Sequence, residues 1–91
     1  MVLKVKGGFV LREIAGNWVI IPVGQRVVEY NSIMSVNNSG ALLWKSLEKG
    51  NDPDGLVQIL LTEYATDENT ARTDVNEFIE AVNMKGLLEQ C

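Results

Sequence analysis

Short runs of β-prone residues open the chain, and apolar residues at helical spacing follow after residue 39. Residues 9–14 form the first run, and Ala15-Gly16-Asn17 supplies the turn chemistry that reverses the chain into residues 18–22. Both alternating sets of this second run are apolar, so we expect a central, covered strand that ends at Pro22. Residues 33–36 alternate between two faces and predict a third strand with an exposed edge.

Three helices are predicted in the rest of the chain, over residues 39–49, 53–65 and 67–85. Asn37 to Ser39 before the first helix, and Thr66 or Asp67 before the third, offer oxygens that can cap a first helical turn. Asp52-Pro53 opens the second helix, because an acid is favourable at the positive end of a helix and proline is tolerated in its first turn.

The order of these elements predicts one α+β domain over residues 1–91, with a three-stranded antiparallel sheet followed by three helices in a winged-helix-like arrangement. No segment approaches the roughly 20 consecutive apolar residues that cross a membrane. The first residues also lack a secretory apolar region, so a cytoplasmic location is expected.

The residue types that usually carry catalysis or bind metals are scarce. The chain has no histidine, and its one cysteine, Cys91, is the last residue. Asp74, Glu77 and Glu80 lie on one predicted helix, but their polar neighbours indicate a solvated surface. We therefore expect no catalytic activity, no metal and no cofactor.

Charge divides the chain into two unlike halves. Residues 1–47 carry five bases and two acids, a net charge of +3, whereas residues 48–91 carry three bases and ten acids, a net charge of −7. The acidic helical half repels phosphate backbones, which disfavours nucleic acid as a partner. What remains is a binding module, because an unpaired strand edge beside a helix can accept another strand through backbone hydrogen bonds.

Three motifs resemble those of the PqqD family. Residues 36–47, Val-Asn-Asn-Ser-Gly-Ala-Leu-Leu-Trp-Lys-Ser-Leu, resemble its signature LN-x-(T/S)-(G/A)-A-x-x-W-x-x-L. Residues 73–79 resemble its DV-x-x-F(L/I) motif, and residues 85–88 resemble its terminal G-L-L. The resemblance extends from about Lys4 to Glu89, nearly the whole chain.

The resemblance implies a RiPP recognition element, a winged-helix-like domain that binds the leader segment of a ribosomally made precursor peptide. The leader adds as a strand to the third strand, beside the third helix, and a partner enzyme, often a radical SAM protein, modifies the rest of the peptide. Carried over by position, the binding residues are Ile33, Met34, Ser35 and Val36 on the strand, and Arg72, Val75, Asn76, Ile79 and Asn83 on the helix.

Departures from the family pattern at Asn38 and at residues 49–53 leave the subfamily open. The leading hypothesis is a non-catalytic adaptor that holds a leader peptide and presents the precursor to a modifying enzyme. The acidic third helix predicts a leader with Lys or Arg residues. The alternatives are a DNA-binding winged-helix regulator, and a structural interaction subunit that forms a homodimer through the exposed sheet edge.

Overall fold

The strands and helices are taken from a computed structural model, which describes residues 2–29 and 33–90. Their bounds, in chain order, are β1 Leu3–Val5, β2 Phe9–Ile14, β3 Asn17–Pro22, α1 Arg26–Glu29, β4 Met34–Val36, α2 Asn38–Lys49, α3 Pro53–Glu63, α4 Glu68–Met84 and β5 Leu88–Gln90.

The main sheet has the order β2-β3-β4, with both pairs antiparallel and β3 in the centre. Ala15 and Gly16 join β2 to β3 with positive φ angles of 52° and 81°, the backbone that a tight hairpin turn requires. β4 is shorter than predicted, because it begins at Met34 and leaves Ile33 outside the strand. The prediction of an α+β fold with a three-stranded antiparallel sheet before the long helices is confirmed.

A second, two-stranded sheet joins the two ends of the described chain and was not predicted from the sequence. β1 and β5 pair in antiparallel register, from Leu3 opposite Gln90 to Val5 opposite Leu88. Leu3 and Val5 are buried. Three-residue strands are too short for an alternating pattern to stand out, so only the long-range pairing reveals them. The short helix α1 was also missed, because a helix of four residues with no buried residue has no apolar stripe.

Each long helix begins with a side-chain cap. The carboxamide oxygen of Asn37 accepts from the backbone N–H of Gly40 at 2.8 Å, and the carboxylate of Asp52 accepts from Gly55 at 2.6 Å. At α4 the structure selects Asp67 over Thr66, because the carboxylate of Asp67 accepts from the N–H of Thr70 at 2.7 Å.

The cap of α4 makes stability depend on pH. The hydrogen bond from the backbone of Thr70 is the main cause that lowers the pKa of Asp67 below its ordinary value of 3.8. The stabilisation by Asp67 is therefore complete above that ordinary value and is lost as the pH falls through the lower pKa of the folded state. We expect Asp67→Asn to reduce the melting temperature at neutral pH and to reduce it less in acid. Thermal unfolding of both proteins from neutral to acid pH checks the prediction. A difference in melting temperature that stays constant with pH would contradict it.

The core lies where α2 meets the sheets and the other long helices. Trp44 and Leu47 of α2 are fully buried, as are Leu56 of α3 and Val75 of α4, and Ile20 of β3 is nearly so. α2 contacts β1, β2, β4 and α3, while α4 packs on α3. This packing holds the N-terminus of α2 between β4 and α4, where the candidate site lies. In the described part of the chain, no helix is both long and apolar enough to cross a bilayer.

Candidate functional site

A cavity of about 280 Å³ lies between β4 and α4, and we call it the β4–α4 groove. One wall is β4, with Met34, Ser35 and Val36, and the floor is the N-terminal part of α2. The opposite wall is one side of α4, formed by Asp74, Glu77, Phe78 and Ala81. The groove therefore joins strand backbone, an apolar surface and two carboxylates.

β4 is an edge strand along this groove. It pairs with β3 on one side, from Ile20 opposite Met34 to Trp18 opposite Val36, and no described strand pairs with its other side. In an antiparallel pair every second residue directs its N–H and C=O away from the partner strand. The outer side of β4 can therefore form backbone hydrogen bonds with an added strand.

Gly40 has no side chain to fill the groove at its floor. A Cβ atom at this buried position would lie 3.1 Å from the Cβ of Val36 and 3.4 Å from Cε1 of Phe78. The first distance is closer than ordinary van der Waals contact, so a side chain here would press on both walls. The glycine of the family-like signature thus sits directly beneath the groove.

The groove carries uncompensated negative charge. Asp74 and Glu77 are both exposed, and neither belongs to an ion pair in the described ranges. The nearest base along α4, Arg72, is engaged elsewhere, because its guanidinium contacts Asp54 at 3.0 Å and Glu68 at 3.3 Å. The hydrogen bond to Asp54 is the main cause that raises the pKa of Arg72, and Glu68 adds to it.

The structure places the sequence-predicted strand residues at the groove and the helix residues away from it. Met34, Ser35 and Val36 line the groove, while Ile33 lies before β4 and is 58% exposed. None of the five helix residues predicted from the family resemblance lines the groove. These five residues are Arg72, Val75, Asn76, Ile79 and Asn83.

The reason lies in the geometry of α4. At about 100° per residue, positions 74, 77, 78 and 81 share one side of the helix, and the predicted wall is centred on the opposite side. The buried stripe of the helix runs between these two sides. The spacing of the apolar residues alone therefore does not show which side faces β4. The fold decides between them, because only one side faces β4. We therefore assign the helix side of the candidate site to Asp74, Glu77, Phe78 and Ala81.

Across residues 2–29 and 33–90, no group of three or more Asp, Glu, His or Cys side chains is placed to hold a metal ion. The groove is thus described by its strand edge, its apolar wall and its two carboxylates.

Comparison with known proteins gives a family for this fold and groove. Residues 17–88 match the family described as coenzyme PQQ synthesis protein D (PqqD). The chain belongs to the PqqD family. The match runs from the start of β3 to the start of β5, so it contains the whole β4–α4 groove. The family resemblance inferred from the three motifs is confirmed, and a search of curated proteins gave no match.

Two solved structures share the fold of this PqqD family member. One is described as TbiB1 in complex with the TbiA(beta) leader peptide, with 25% sequence identity and a TM-score of 0.74 over 97% of this chain and 96% of that chain. The other is described as lasso peptide synthetase B1 complexed with the leader peptide, with 16% identity and a TM-score of 0.73 over 97% of this chain and 98% of that chain. At that lower identity the likeness concerns the fold alone.

Proposed function

We propose that this protein binds the leader segment of a ribosomally made precursor peptide in the β4–α4 groove, as an additional strand on β4. The observation that carries the proposal is the open edge of β4 beside the groove wall of α4. The solved structure with 25% identity and the same fold is a complex with a leader peptide, which supports this class of ligand. The protein acts in this proposal as a RiPP recognition element.

The strand and the helix have different tasks in this proposal. The backbone of β4 supplies hydrogen bonds that any extended peptide can form, so it gives affinity without sequence preference. Phe78 and Ala81 offer an apolar wall that side chains of the leader contact at every second position. Asp74 and Glu77 then favour a leader with Lys or Arg residues, because both carboxylates are unpaired in the described chain.

The bound leader leaves the rest of the precursor free for a modifying enzyme. We therefore assign the protein a non-catalytic role as an adaptor that presents the precursor to that enzyme, for which a radical SAM protein is a candidate. The proposal includes a cytoplasmic location, because ribosomally made peptides begin there.

The two alternatives become outcomes of the binding experiments. A second copy of the chain can pair with the same strand edge, which would give a dimer that competes with peptide. DNA is disfavoured, since α4 carries Glu68, Asp74, Glu77 and Glu80 against Arg72 alone, and Arg72 already contacts two carboxylates.

The proposed function is tested with a fluorescent synthetic leader, taken from whichever small open reading frame lies nearest to the gene. Fluorescence anisotropy should show saturable binding of the leader and much weaker binding of a scrambled peptide of the same composition. A duplex DNA probe and sedimentation of the protein alone test the alternatives. Equal retention of leader and scrambled peptide, or binding of DNA alone, would contradict the proposal.

The charge preference gives a separate prediction. Glu77→Lys should weaken binding of a basic leader by about tenfold at low salt, because it replaces an attraction in the groove with a repulsion. The loss should shrink at about 1 M salt, where the screening length is only ~3 Å. The control is Glu48→Lys, the same exposed change on α2, about 12 Å along the helix axis from Gly40. Equal losses in both variants, measured by anisotropy, would contradict the charge preference.

A further inference from the structure

A second cavity continues the β4–α4 groove past the end of β4. It has a volume of about 330 Å³ and lies between the N-terminus of α2, the C-terminal end of α3, and α4. Asn37, Ser39 and Asp74 line both cavities, so the two share a boundary. We call the second one the Tyr64 cavity, after its exposed aromatic residue.

The Tyr64 cavity combines apolar surface with one carboxylate. Leu60 is buried beneath it, and Tyr64 leaves 40% of its surface exposed. Among the described residues that line the cavity, Asp74 is the only acid, and the lining also has polar, uncharged residues such as Asn38 and Thr66. Asn38 is fixed there, since its side-chain oxygen accepts from the indole N–H of Trp18 at 3.0 Å.

This combination matches the chemistry of a long basic side chain. Lys and Arg have an apolar stem that packs on apolar surface and a charged head that stays near water. Their heads are also attracted to the face of an aromatic ring such as that of Tyr64. Asp74 has no ion-pair partner in the described ranges, so its charge is available to such a ligand.

The position of the cavity indicates which peptide reaches it. β4 ends at Val36, and the next three residues, 37–39, all line the Tyr64 cavity. A strand advances about 3.3 Å per residue, so a peptide that extends past Val36 enters this cavity within about two to four residues. One continuous extended peptide can therefore reach both cavities.

Resting on the proposed function, we propose that the Tyr64 cavity is a subsite that selects leader peptides with a Lys or Arg side chain. The selected residue lies about two to four positions beyond the segment that pairs with β4. Its stem packs on Leu60 and Tyr64, and its charged head lies beside Asp74.

The test is a double-mutant cycle between leader and protein. The probe is the same synthetic leader that tests the proposed function, with each Lys or Arg replaced in turn by methionine, which keeps an apolar stem. Affinities are measured by calorimetry for the unmodified protein, Asp74→Asn and the matched control Glu77→Gln, whose acid lines only the β4–α4 groove. Amide exchange of the bound leader identifies the segment paired with β4.

One methionine replacement outside the paired segment should weaken binding to the unmodified protein and to Glu77→Gln about tenfold. The same replacement should cost Asp74→Asn less than about twofold, because its partner charge is already missing. If the leader binds but no methionine replacement shows this coupling to Asp74→Asn, the proposed subsite is wrong and the proposed function still stands. A leader that does not bind the unmodified protein overturns the proposed function, and the subsite with it.

Discussion

Ala81→Arg is expected to lower affinity for the leader peptide at least about 30-fold, which corresponds to the ~2 kcal/mol typical of a central interface residue. Ala81 is a small, half-buried residue on the groove side of α4. A long side chain at this position would occupy the space that the added strand needs beside β4. Its positive charge would also repel the basic leader that the acidic groove favours.

The matched control is Asn83→Arg, which places the same side chain two residues further along α4. At about 100° per residue, this position lies on the opposite side of the helix, where Asn83 is exposed. We expect its affinity to stay within about twofold of the unmodified protein. Anisotropy with the fluorescent leader measures both variants. If Asn83→Arg blocks binding and Ala81→Arg does not, the leader binds the opposite side of α4. That side carries Asn76 and Asn83, which the family resemblance predicted as binding residues.

Trp44→Ala is expected to lower the free energy of unfolding by about 3–5 kcal/mol, a large part of the stability of a domain of this size. Trp44 is fully buried at the centre of the core and is the largest side chain there. Removing its ring leaves a cavity that the surrounding residues fill only in part.

Trp44→Phe should cost much less, within about 2 kcal/mol. The indole N–H of Trp44 is buried with no acceptor among the described residues, and burying an unpaired donor costs free energy. Phenylalanine removes the donor and keeps most of the ring. Urea unfolding of the two variants compares the costs. Equal losses for both would mean that the N–H has a bonded partner, or that the core does not close around a smaller ring.

The sequence was most informative where a single residue type dictates the backbone. The hairpin at Ala15-Gly16 and the cap of α2 by Asn37 follow from local chemistry, and both are found in the structure. β1 and β5 depend on a pairing between residues 83 to 87 positions apart, from Val5 opposite Leu88 to Leu3 opposite Gln90, and no local pattern reports such a pairing.

The candidate site was predictable on one wall only. An exposed third strand follows from its alternation, and Met34 to Val36 do line the groove. On α4 the apolar stripe marks the core and leaves two flanks, one with Asp74 and Glu77 and the other with Asn76 and Asn83. The choice between the flanks depends on where β4 lies, which is a tertiary property. Whether a leader contacts these residues stays a prediction.

In the proposed complex, a leader peptide binds β4 as an added strand beside the Asp74 side of α4. The most direct measurement is an amide NMR titration of ¹⁵N-labelled protein with the synthetic leader. We expect saturable shifts at Met34, Ser35 and Val36 and along residues 74–81 of α4, with slowed amide exchange on the outer side of β4. Saturable shifts elsewhere, or no shifts at high peptide excess, would contradict this mode of binding.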